Sequence, residues 1–467
     1  MKAFTEPLLS LAGFEEMTKT AEKSSGLISV TGCIDAQKSQ MIYAFGGHRK
    51  NKLIVTFGEQ KAKELYDEYS FFDKEVVYYP SKDVLFYQSD IRGNLLTAER
   101  IRALKAIHEQ ERVTLVTTFD ALMNTMAPIE KMWENVLTLE QGQLLDLKEI
   151  QAALIRMGYE KEYQVQTMGQ FSVRGGILDV FPLTEENPIR IELWGDEIDT
   201  IRYFDCESQK SIENIDLVSI YPAAELVLSV EEKAGGIEKL KAEAKRVSDK
   251  LRKQMKTEEA HRVTVMADEL TEEWGELSMY AGMDAFLSYF FDERVGLLDY
   301  FKPSDSLIFF DELTRCTEQG KLTETEFSES MKQRLAMGYI LPGQMNGLFT
   351  EKEIVAKLEK YSCIALGALD NKANGLHQLG SYGIHCQSVS PYNNSFELLI
   401  KDLKRYKKNG YRVILLSGSR TRAKRLSEDI TDQGITCFYT ENYDHELFEG
   451  QIMVCYGKVR RGFEYPI

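Results

Sequence analysis

Gly169-Gln-Phe-Ser-Val-Arg-Gly-Gly-Ile-Leu-Asp-Val-Phe-Pro182, continued by Ile189-Arg-Ile-Glu-Leu-Trp-Gly-Asp-Glu-Ile-Asp199 and Tyr203-Phe204-Asp205, is the stretch around which the chain is organised. Phe171 and Val173 alternate with polar residues, Ile177 to Phe181 is an apolar run, and Ile189, Ile191 and Leu193 alternate again. Short strands of a small β-rich module are expected, each with one buried face. Gly175-Gly176 and Gly195-Asp196 supply the backbone freedom a tight hairpin needs, and Pro182 stops the middle strand. Acidic side chains outnumber basic ones here, so Arg174 and Arg190 stand out, with Trp194 as a neighbouring aromatic.

The chain has 467 residues, enough for about three domains, each with its own core. A hydrophobic content of 43% and a charged content of 28% describe a globular protein. There is no run of eighteen apolar residues, and Met1-Lys-Ala-Phe-Thr-Glu-Pro7 lacks the order of a secretion signal, so a cytoplasmic protein is expected. The seven cysteines (Cys33, Cys206, Cys316, Cys363, Cys386, Cys437 and Cys455) form no C-x-x-C pair, and reduced, mostly buried thiols with no metal site are expected. A formal net charge of −16 argues against a chain whose whole surface holds nucleic acid and favours a protein partner.

Upstream of the module, apolar runs at Gly26–Gly32, Leu53–Phe57, Val76–Tyr79 and Val113–Thr117 alternate with helical segments. This order implies a parallel sheet covered by helices. Gly32-Cys-Ile-Asp-Ala-Gln-Lys38-Ser39 matches the phosphate-loop pattern G-x-x-x-x-G-K-[ST] at Gly32, Lys38 and Ser39. Gln37 stands where a glycine would turn backbone N–H groups toward phosphates, and Asp35 adds a negative charge, so a vestigial loop is expected. Downstream, Ile237, Leu240, Ala244, Val247, Leu251 and Met255 form one apolar stripe. The stripe predicts a long helix from Val230 to about Val263 lying on the first domain, with a coiled-coil dimer as the alternative. Ser306-Leu-Ile-Phe-Phe-Asp311-Glu312 is an apolar strand ending in adjacent acids. Tyr361–Leu366 and Ile384–Val389 are expected to complete the sheet. Past Pro391, helix Phe396–Lys407, strand Arg412–Leu416, helix Arg420–Gln433 and strands at Thr436–Tyr439 and Ile452–Tyr456 read as a further small α/β unit. Ser417-Gly-Ser-Arg420 in it is either a plain turn or an anion site.

From Val136 to Phe204 the pattern Phe-x-Val-Arg-Gly-x-x-x-Asp-x-Phe-Pro, followed by Arg-x-Glu-(aromatic)-x-(Gly/Asp)-Asp-Glu-Ile, resembles the UvrA-binding domain shared by UvrB and the transcription-repair coupling factors. Pro80 to Asp90 and Ala98 to Leu104 resemble the coupling factor's first domain, and the loop between them lacks UvrB's long aromatic hairpin. Asp311-Glu312 resembles the second nucleotide motif of helicases.

The resemblance implies an α/β fold: a helicase-like parallel-sheet domain over 1–136 and 224–388 with degenerate nucleotide motifs (Gly32, Lys38, Ser39, Asp311, Glu312), an inserted β-rich UvrA-binding domain over 137–223, and a truncated third α/β domain over 389–467. It implies UvrA as partner, contacted by Arg174, Arg190 and Trp194, in transcription-coupled nucleotide excision repair. No catalytic residue and no cofactor are expected for this chain. The family's ATP and magnesium, RNA polymerase and double-stranded DNA belong to its missing C-terminal part. The alternatives are an ATP-dependent helicase or translocase using Lys38, Ser39, Asp311 and Glu312, and a UvrB-like damage-binding subunit.

Overall fold

In the computed structural model, residues 1–45, 49–83, 91–275 and 282–466 are described, with backbone alone for 91–94. The expected loop from Pro80 to Asp90, and with it the question of a UvrB-type hairpin, falls largely on residues outside the described ones.

The largest sheet has seven parallel strands, ordered Gln378–Gly383, Gly26–Thr31, Ser362–Leu366, Ser306–Asp311, Asn51–Thr56, Val113–Thr118 and Val77–Tyr79. Ser306–Asp311 and Val113–Thr118 are buried at every position, because helices cover both faces of the sheet. The expected strand at Ile384–Val389 is corrected. The edge position beside Gly26–Thr31 is taken by Gln378-Leu-Gly-Ser-Tyr-Gly383, and only Gln387–Ser388 is extended, pairing with Phe463–Glu464. The edge strand carries two glycines and little apolar alternation. What selects it is the row of unpaired backbone groups on Gly26–Thr31 rather than its own propensity.

The β-rich module leaves and re-enters the main domain at one place. Leu137–Glu140 pairs antiparallel with Leu217–Ile220, Leu137 opposite Ile220, so the two connections lie side by side. Between them lies a six-stranded sheet ordered Ser211–Ile215, Glu197–Phe204, Ile189–Trp194, Ile177–Val180, Gln170–Arg174 and Glu160–Lys161. Helix Leu147–Arg156, N-capped by Asp146, buries Leu154 against one face of that sheet.

The single long helix expected from Val230 is also corrected. Val230–Lys253 and Thr257–Gly275 form a helical hairpin that breaks at Met255, which has φ 62° and is exposed. Neither glycine nor proline marks the break. The stripe residues Leu240, Ala244 and Leu251 pack with Ala260, Val263 and Ala267 of the second helix, so their apolar surface is covered within the chain.

The last unit is a three-stranded parallel sheet ordered Val413–Ser417, Ile452–Tyr456 and Phe438–Tyr439. Helices Phe396–Lys408 and Arg420–Asp432 share one core with it. Its other face packs on Ala3 and Phe4 of the N-terminal helix, and Phe4 also meets Phe71 and Phe72 of the main domain edge-on.

A buried charge cluster ties the module to the main domain. Glu225 receives Arg100 Nε at 2.8 Å and the Lys82 ammonium at 2.5 Å, Lys82 also reaches Asp284 at 2.6 Å, and Arg100 stacks over Tyr79 at 4.2 Å. Burial pushes the Glu225 carboxyl up, but Arg100 and Lys82 more than offset this and hold it down at about 2. A depressed carboxyl contributes stability above its unfolded value of about 4.3, and that stability is lost as pH falls toward 2. Glu225→Ala is expected to cost about 3–5 kcal/mol in urea unfolding at pH 7, by leaving the buried Arg100 guanidinium without its carboxylate while Lys82 keeps Asp284. Part of the wild type's loss of stability between pH 5 and 2 should be absent from the variant.

Candidate partner-binding face and the remnant nucleotide loop

Strand alternation divides the six-stranded sheet. Phe171, Leu178, Val180, Ile189, Ile191 and Ile201 go to the core, and the intervening residues form the opposite face. Register aligns Ser172, Asp179, Arg190 and Arg202 in one row across four strands, with Arg174, Ile177, Glu192 and Thr200 in the next. Asp179 is only 1% exposed. Its oxygens accept from Arg190 Nε at 2.7 Å and Nη2 at 2.8 Å, and from Arg174 Nη2 at 3.2 Å. Arg190 also donates to Gln209 Oε1 at 2.8 Å and lies 4.2 Å over the Phe204 ring, leaving 12% of its side chain exposed.

The expected arginine pair therefore divides. Arg190 is committed to Asp179 within the chain. Arg174 keeps 37% of its side chain exposed, and its Nε and Nη1 have no partner among the described residues. Trp194 ends its strand just before Gly195 (φ 65°) and is 84% exposed. Beside it is an open groove of about 410 Å³ lined also by Glu140, Glu197, Asp199 and Asp216. Glu192 and Arg202 pair at 2.5 Å on the same face. Sequence reasoning did not single out Asp179 or the Glu192–Arg202 pair. Asp179 and Glu192 were in the quoted stretch and Arg202 just outside it, but only strand register shows which charges meet.

The two stretches that resemble nucleotide motifs come together at one end of the large sheet. Lys38 Nζ lies 2.5 Å from Asp311 Oδ1, 3.0 Å from Asp35 Oδ1 and 3.4 Å from Glu312 Oε1, and the lysine is 1% exposed. Thr56 donates to the other Asp311 oxygen at 2.8 Å. Burial lowers the Lys38 pKa, but Asp311 and Asp35 outweigh it and the ammonium is held above its usual value. Glu312 has φ 56°, a strained conformation for a residue with a side chain. Gly32 (φ 77°) has the Ile384 carbonyl so close that an added Cβ would lie 2.0 Å from it. Gln37 is fully buried where a phosphate loop is open.

Ser39 Oγ, where the phosphate-loop pattern would place a magnesium ligand, is buried without a hydrogen-bond partner, as is Gln37 Oε1. That is not enough. The lysine and the first acid are spent on each other and the loop is covered by the chain's own backbone, so these residues do not fit Mg-ATP. Among the described residues no cluster is arranged to hold a metal ion.

Two stability predictions follow from this geometry. Arg190→Ala is expected to cost about 3–5 kcal/mol by leaving buried Asp179 with only the single 3.2 Å contact from Arg174, and Arg174→Ala under about 1 kcal/mol. Lys38→Ala should destabilise by a similar 3–5 kcal/mol, with Lys38→Ala/Asp311→Asn recovering part of it. Urea unfolding measures all four variants.

Residues 137–226 match the family described as the UvrB interaction domain. Over 416 residues the chain is 27% identical to the transcription-repair-coupling factor of Bacillus subtilis, an alignment covering 89% of this chain and 35% of that protein. It is 26% identical over 449 residues to the factor from Staphylococcus haemolyticus, covering 94% and 37%. It is 25% identical over 466 residues to that of Staphylococcus aureus, covering 97% and 38%. The chain thus spans little more than a third of the length of these relatives. Residues 137–226 are thus similar to the UvrB interaction domain, in a chain that is related over nearly its whole length to part of the transcription-repair-coupling factors.

Proposed function

We propose that this chain is the N-terminal part of a transcription-repair coupling factor and that the outer face of its six-stranded sheet recruits UvrA, linking a stalled RNA polymerase to nucleotide excision repair. RNA polymerase, double-stranded DNA and the ATP-driven motor belong, on this reading, to the part of the family's length that this chain does not span. The observation that carries the reading is Trp194, a large aromatic left 84% exposed inside the matched domain. Burying such a ring against a partner contributes on the order of 4–6 kcal/mol before the costs of association.

Arg174 supplies charge-assisted hydrogen bonds from the N–H groups that Asp179 leaves free. Arg190 acts as a positioning residue. By neutralising Asp179 it releases the Arg174 fork toward solvent and keeps the strands in register. The mechanism is mimicry: the module offers UvrA the kind of surface that UvrB offers. The engagement of Lys38 by Asp311 disfavours the helicase reading.

Calorimetric titration of UvrA into the full chain tests the proposal. Trp194→Ala with Arg174→Ala should weaken binding by at least a hundredfold, on the order of 3 kcal/mol or more, with unfolding behaviour unchanged. Affinity undiminished in that double variant would exclude these contacts.

A further inference from the structure

Residues 389–467 hold thirteen Lys and Arg against ten Asp and Glu, in a chain whose formal net charge is −16. The excess is concentrated at one edge. The strands Val413–Ser417, Phe438–Tyr439 and Ile452–Tyr456 are parallel, so their C-terminal ends point to the same side. Helix Arg420–Asp432 starts from that side, with Arg420, Arg422, Lys424 and Arg425 all exposed in its first two turns. Lys458, Arg460 and Arg461 leave the central strand at the same edge and are exposed too. Two tyrosines sit among them at the strand ends: Arg420 lies 5.5 Å from the Tyr456 ring and Lys424 Nζ 5.4 Å from the Tyr439 ring. Glu441 faces Arg420 at 3.6 Å and Glu64 pairs with Arg460. Arg422, Lys424, Arg425, Lys458 and Arg461 have no acidic partner among the described residues.

This arrangement works against the fold's own stability. Helix Arg420–Asp432 has no acid in its first turn and no base in its last, and Glu428, Asp429 and Asp432 fall in its second half. Helix Val230–Lys253 has the opposite and favourable order, with Glu231 and Glu232 first and Lys250, Arg252 and Lys253 last. A cation at a helix N-terminus is disfavoured by the helix dipole, and a polyanion lying across these turns reverses the sign of that contribution. The C-terminal ends of parallel strands are also where α/β units hold their ligands.

We propose that this edge contacts the phosphate backbone of nucleic acid, with Arg422, Lys424, Arg425, Lys458 and Arg461 as phosphate contacts and Tyr456 as an exposed flat surface between them. The inference is independent of the UvrA reading. Nucleic acid is the occupant the chemistry favours, because its regularly repeated charge engages cations on two separate segments at once. Arginine forks match phosphate geometry, and an aromatic set among cations suits sugar and base faces. The strongly acidic remainder of the chain restricts the contact to this edge.

The test is fluorescence anisotropy of the full chain with a labelled 25-base-pair duplex of arbitrary sequence at 50 mM salt. Saturable binding is expected, weakening about a hundredfold between 50 and 200 mM salt if roughly four phosphates are engaged. Arg422→Glu/Arg425→Glu/Lys458→Glu should weaken it at least tenfold with an unchanged circular dichroism spectrum. Lys407→Glu/Lys408→Glu, on the helix turn that precedes the sheet's opposite edge, should leave it unaltered. The proposal is overturned by no binding at 50 mM salt, by equal losses in the two charge-reversed variants, or by equal affinity for polyglutamate or for vesicles containing phosphatidylserine.

Discussion

A carboxylate on a central strand, removed from water, must be neutralised where it stands, and Asp179 imposes that requirement on the whole outer face of the six-stranded sheet. An isolated buried carboxylate costs several kcal/mol, and a bidentate guanidinium on the neighbouring strand is the geometry that offsets it. Arg190 meets it in register and is held from behind by Phe204 and Gln209. Because one arginine is consumed, the other needs to give only a single N–H, and the remainder of Arg174 faces solvent beside Trp194. The exposure of an unspent arginine fork beside an indole is thus the by-product of a satisfied interior.

The same physics runs in the other direction at the end of the large sheet. There Lys38, Asp311 and Asp35 neutralise one another, and the groups that would serve a nucleotide are consumed by the fold. Two sites that look alike as lists of charged residues differ in what remains after internal pairing. On the module an arginine fork and an indole are left over, whereas in the loop only the neutral Ser39 hydroxyl and Gln37 amide oxygen are buried without a partner among the described residues.

Much of this was legible from the letters. The alternation at Phe171–Val173 and Ile189–Leu193 marked strands because period two and a single buried face leave a clear trace. The continuous apolar runs marked the parallel sheet for the complementary reason, burial on both faces. Five features were hidden. The break at Met255 carries no glycine or proline, since it arises from the second helix folding back on the stripe. The edge strand Gln378–Gly383 has no propensity of its own. The division of labour between Arg174 and Arg190 depends on cross-strand register, and the Lys38–Asp311 contact joins residues far apart in sequence, so neither has a local signature. The basic edge of the last unit was hidden differently: a net charge of −16 describes the chain and says nothing of how the charges are distributed.

The central claim is that the outer face of the six-stranded sheet meets UvrA. Hydrogen–deuterium exchange of the full chain, with and without UvrA, tests it without altering a residue. Slowed exchange on binding should concentrate in 170–177 and 189–198, the strands and turns that carry Arg174 and Trp194. Protection confined to other elements, such as the helical hairpin of 230–275, with none on that sheet, would contradict the account.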